Sequence, residues 1–72
     1  AHQMMVLWRL INKRVRDNYT GGTDLSDMDN WNAWVVHWFA TAETIKAEFT
    51  EQGLPETAKA IQEIIDEQKW YC

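Results

Sequence analysis

One cysteine, one proline and three glycines in 72 residues leave this chain few of the devices that brace small proteins. A single thiol, Cys72, closes no internal disulfide. It sits at the end of the sequence with no base beside it to form a thiolate, so it reads as an incidental tail thiol. His2 and His37 share no ligand spacing with each other or with Cys72, which argues against a structural zinc site, and no cofactor is expected. Apolar runs are short as well. None approaches the ~18 residues that a membrane span requires. The first, Met4 to Trp8, is too brief for a leader and lacks a cleavage pattern, so a soluble, cytoplasmic chain without membrane contact is expected.

With crosslinks and metals set aside, apolar packing must hold the fold. A domain this short buries only ~60% of the surface of its unfolded chain, so stability is thin and a partner or second copy would add to it. What the chain has in quantity is tryptophan: five residues, each able to bury a large, rigid area. Charge is present but segregated. The net charge is −4, yet Arg9, Lys13, Arg14 and Arg16 make the first sixteen residues purely basic, and all 11 carboxylates come later, against Lys46, Lys59 and Lys69. The result is a basic arm on an acidic body.

The spacing predicts an all-α fold of three helices, at about 2–19, 27–52 and 55–70. In the first, Met4, Leu7, Trp8, Ile11 and Val15 recur at steps of three and four and form one apolar stripe. Arg9, Lys13 and Arg16 form a separate ridge. Gly21 and Gly22 end this helix, and the oxygen-rich stretch Asp24 to Asp29 suits a helix start. The same acidic stretch lacks the sixth-position glycine and twelfth-position glutamate of a calcium loop. In the second helix Met28, Trp31, Val35, Trp38, Ala42, Ile45 and Phe49 keep a heptad rhythm without a break. Gly53-Leu54-Pro55 stops one helix and starts the next. Ala58, Ile61, Ile64, Ile65 and Tyr71 fall on the inner face of the third. Short connections imply antiparallel neighbours, giving a small antiparallel three-helix bundle around the long central helix, with homodimerisation as a way to complete it.

Catalytic chemistry is not expected. Three short helices leave little room for a pocket, and the titratable residues are poorly assembled. Glu63 and Glu67, four apart, have no accompanying histidine and read as a solvated face rather than a hydrolytic or di-metal pair. His37, among aromatic residues, reads as partly buried and inert rather than as a pH switch.

Binding surfaces are better represented. Trp31 and Trp38 lie on the seam and are expected in the core. Trp34, about a quarter-turn away, is expected with Val36 and His37 on an exposed apolar flank of the kind that marks interfaces. Glu43, Glu48, Glu51, Glu63 and Glu67 are expected to form an acidic outer face able to mimic phosphates and occupy a basic groove. Arg9, Lys13, Arg14 and Arg16 offer an alternative site for nucleic acid, but four cations on an acidic chain are few, and pairing with carboxylates of the other helices or of a second subunit is the simpler fate.

In size, acidity and lack of motifs the chain resembles the small inhibitors that phages and mobile elements direct against host defence or transcription machinery, some anti-CRISPR proteins among them. The likeness lies in those bulk properties and carries over no residues. It implies a non-enzymatic inhibitor or adaptor that docks on a larger protein, possible members of a nucleic-acid-handling complex included, in the host cytoplasm if viral. Direct nucleic-acid binding through the first helix and a structural homo-oligomer built on the heptad seam are the alternatives.

Overall fold

The computed structural model describes residues 2–22 and 24–71, with side chains described for residues 3–22 and 24–70. Three helices make up the chain: α1 (His2–Asn18), α2 (Met28–Glu51) and α3 (Pro55–Tyr71). Each boundary falls within one residue of the position the spacing implies. The inner-face position expected for Tyr71 and the tail thiol of Cys72 lie outside the described side chains.

The helix ends follow from local chemistry. Asp27 caps α2, its carboxylate accepting the amides of Asp29 (2.9 Å) and Asn30 (3.2 Å), which are otherwise orphaned at a helix start. At the other end Gly53 takes a φ of +78°, its amide donates to the Thr50 carbonyl, and the Leu54 amide donates to that of Phe49. That paired closure requires a left-handed residue, which glycine supplies without strain. Pro55 then opens α3 where its missing amide is not needed.

The core combines Leu7, Ile11 and Val15 of α1, Trp38, Ala42 and Ile45 of α2, and Ile61, Ile64 and Ile65 of α3. All are apolar residues on the expected stripes, and the burial of each isoleucine stabilises by roughly 1.5–3 kcal/mol. A hydrogen bond from Lys46 to Gln62 sets the register of the antiparallel α2–α3 hairpin. Helix α1 packs on both members of that hairpin and is tied to α2 through Asn12 to Trp38 and Arg14 to Glu48.

The seam expectation fails at its start: Trp38, Ala42 and Ile45 are buried as expected, but Met28 is 70% exposed and Trp31 44% exposed.

Candidate docking surface

In the N-terminal half of α2 the aromatic residues meet those of α1. Trp8 packs on Trp38 with ring centroids 5.2 Å apart, and Phe39 meets Trp38 edge-on, also at 5.2 Å. Trp31 and Trp34, three residues apart on α2, stack nearly parallel at 6.0 Å. These rings, with Val35 and Gln68, enclose an open cleft of about 270 Å³. Sequence reasoning expected no pocket of useful size. The cleft exists because five aromatic rings from α1 and α2 converge beside Gln68 of α3, and bulky planar side chains set at these angles leave a gap between them.

The floor of the cleft is fixed. The indole N–H of Trp38 donates to Asn12 Oδ1 of α1 at 2.9 Å, and Trp38 is only 4% exposed. The lip is open, since Trp31 stands in solvent. Trp8 and Gln68 also border a shallow depression with Met4, Met5, Ile64 and Glu67, so apolar surface continues from Trp31 over Trp8 to the exposed Met5. Among the described residues no titratable side chain lines the cleft itself. Its described lining is apolar apart from the Gln68 amide, a surface suited to an apolar or aromatic group.

Trp34 forms the wall between this cleft and a second, wider depression of about 470 Å³ lined by Arg16, Tyr19, Thr20, Gly22 and Leu25. The loop after α1 covers that side. Asn30 holds the loop in place, donating to the Asp24 carbonyl at 2.9 Å and accepting the Tyr19 hydroxyl on its Oδ1. The expected flank of Trp34, Val36 and His37 therefore does not form one open surface. Trp34 is half-buried under the loop. His37 is half-buried against the Tyr19 ring at 5.5 Å, and its Nε2 is buried with no hydrogen-bond partner among the described residues. Val36 alone stands out, 69% exposed. Trp31, expected in the core, is the more exposed of the two, and Trp34 is half-buried between the two depressions.

The acidic residues are similarly dispersed. Glu48 turns toward α1, where both its oxygens accept from Arg14 at 2.8 Å. Glu43 pairs with Lys46 at 3.1 Å, and that lysine also reaches Gln62 of α3. Glu67 borders the methionines of α1, while Glu51 and Glu63 are solvent-exposed. A single acidic outer face containing all five is not formed, because helical spacing around α2 turns Glu48 and Glu43 toward different neighbours. Of the basic ridge, Arg14 is committed to Glu48, and Lys13 pairs with Asp17 at 2.9 Å. Arg9 and Arg16 remain exposed, with no carboxylate partner among the described residues.

Sequence reasoning missed Trp31 as a surface residue, along with Asn12 and Asn30 as the polar ties that position the aromatic group. Nothing in the periodicity marks the two asparagines. No protein-family model matches the chain, and neither a curated protein nor a solved structure does so.

Proposed function

We propose that the chain is a non-enzymatic interaction module that docks on a larger protein and blocks or adapts it, with the aromatic cleft as the docking surface. The observation that carries this reading is an open cleft walled by four tryptophans, with no titratable group in its lining among the described residues. Tryptophan surface left in water at a concave site is what binding hot spots are made of. Among the described residues no helix is long and apolar enough to cross a membrane. An inhibitor of the phage or mobile-element kind, acting in the cytoplasm, suits a module of this size and net charge of −4. The site we assign centres on Trp31 with Met28 and Trp8, in place of the Trp34, Val36 and His37 flank. The acidic residues then serve to steer association with a basic partner rather than to form the contact.

Tagged wild-type chain and Trp31→Ser are compared as baits in a host lysate, with mass and stoichiometry of any retained protein measured. The expected result is one stoichiometric partner held by wild type and lost by the variant, with helicity by circular dichroism unchanged. A partner held equally by both removes the aromatic cleft as the site. Retention of no partner by wild type removes the docking reading.

A further inference from the structure

The wider depression beyond Trp34 differs from the aromatic cleft in carrying a charge. Arg16 is the one charged residue of its described lining, set among the rings of Tyr19 and Trp34, the Leu25 side chain and Thr20. We infer that this depression binds a small aromatic carboxylate, with the ring among Tyr19, Leu25 and Trp34 and the single negative charge on Arg16. The inference stands apart from the docking reading, since Trp34 is the one residue that the two described linings share.

Charge selects the ligand class. Arg16 is exposed and makes no ion pair among the described residues. The positions three and four residues from it are Asn12, Lys13, Tyr19 and Thr20, none of them acidic. The carboxylates nearest in the chain are engaged elsewhere: Asp17 accepts from Lys13 at 2.9 Å, and Asp24 accepts the hydroxyl and amide of Ser26. A guanidinium without a partner takes a carboxylate through two parallel bonds, and apolar walls beside the pair reduce its screening by water. One cation matches one negative charge. A phosphate dianion or a run of phosphates would bring more charge than Arg16 offsets, against a chain of net charge −4.

The walls are in place before a ligand arrives. Asn30 accepts the Tyr19 hydroxyl on its Oδ1, and its amide donates to the carbonyls of Asp24 (2.9 Å) and Gly22 (3.4 Å), so one side chain of α2 ties down the loop that borders the depression. Trp34 is half-buried and packs against the core. A site held in this way loses little freedom when it is filled. Its volume of about 470 Å³ falls within the roughly 300–1,000 Å³ of small-molecule sites.

A free aromatic acid and the last residue of a peptide present the same chemistry, and nitrogen–proton correlation NMR of the full chain tests both. The probes are indolepropionate, its neutral amide, and the peptide Gly-Gly-Gly-Trp with a free carboxyl end. Indolepropionate is expected to shift the amides of Tyr19, Thr20 and Leu25 saturably, with a dissociation constant of about 1 mM or tighter, while the indole N–H signals of Trp8 and Trp31 stay in place. The neutral amide binds roughly tenfold more weakly, as loss of a charge-assisted bond requires. Arg16→Gln, whose fold is retained because the residue is exposed, binds the acid and the amide alike. Tighter binding of the peptide than of the free acid assigns the site to a chain end, and the reverse assigns it to a free acid. No saturable shift from either acid up to about 10 mM overturns the inference, and so do shifts confined to Trp8 and Trp31. Equal binding of acid and amide by the wild type, or an undiminished preference for the acid in Arg16→Gln, overturns the role of Arg16 and with it the ligand class.

Discussion

Asn12 of α1 accepts the indole N–H of Trp38 of α2 at 2.9 Å, and this bond fixes the floor of the aromatic cleft. Trp38 is 4% exposed, so its N–H has little recourse to water. Asn12→Ala removes the acceptor and leaves a buried donor unpaired, at a cost of about 1–3 kcal/mol. In urea or thermal denaturation the variant should melt lower by roughly 4–8 °C for each kcal/mol lost. Equal stability to wild type would mean that the indole finds another partner and that Asn12 does not position the cleft.

This tie illustrates where reading from the sequence stops. Leu7, Ile11, Val15, Ile45, Ile61 and Ile65 fall on helical stripes and are buried, since burial of aliphatic residues follows from periodicity alone. Asp27, Gly53 and Pro55 mark helix ends through local chemistry that any neighbouring structure would leave intact. Trp31 belongs to the same seam as Trp38 by every local criterion. Its 44% exposure depends on how α1 and α3 pack around the first turns of α2, which no local criterion encodes. Trp34 was misplaced for the complementary reason, that a loop lacking any periodic signal folds over it. Asn12 and Asn30 are polar residues with no sequence partner at a fixed spacing, so their bonds become visible only once α1 is laid across the hairpin.

Tyr19 folds over Gly21, and a Cβ built on that glycine would collide with the tyrosine ring and hydroxyl. Gly21→Ala should therefore expel Tyr19 from its bond with Asn30 and from its contact with His37, 5.5 Å away. The expected readout is a loss of ring-current shifts at His37 in proton NMR, with a modest fall in stability. Gly53→Ala makes a useful contrast. Nothing lies within 4 Å of its would-be Cβ, but its φ of +78° strains any L side chain, so the cost is conformational, about 1–2 kcal/mol. That variant should lose stability while the His37 shifts stay in place.

Asp24 accepts both the hydroxyl (2.5 Å) and the amide (3.0 Å) of Ser26. The side-chain bond first, and the backbone bond second, hold the carboxyl below its ordinary value of 3.8. Because the folded value is depressed, whatever stability this turn contributes is present above pH 3.8 and is lost as pH falls through the lower folded value. Ser26→Ala removes the larger cause and should raise the Asp24 titration midpoint toward 3.8 in a carboxyl NMR titration. An unmoved midpoint in the variant would show that the hydroxyl does not stabilise the carboxylate.

The ion pair between Arg14 and Glu48 bears on the nucleic-acid alternative. It joins α1 to α2 through two 2.8 Å bonds, with the two side chains 35% and 43% exposed, so its net contribution is at most about 1 kcal/mol. Its larger effect is to occupy one of four cations, as Lys13–Asp17 occupies another. Arg9 and Arg16 alone are then free to neutralise phosphates among the described residues of α1. Two neutralised phosphates give a slope of about −1.8 in log affinity against log salt. Fluorescence anisotropy with a labelled duplex and a labelled single strand should show no binding at physiological salt. Glu48→Gln, which releases Arg14, should add about one unit to any slope seen at low salt. A wild-type slope of about −3.6, the value for four neutralised phosphates, would show instead that the whole ridge engages phosphate, and that both ion pairs open to let it do so.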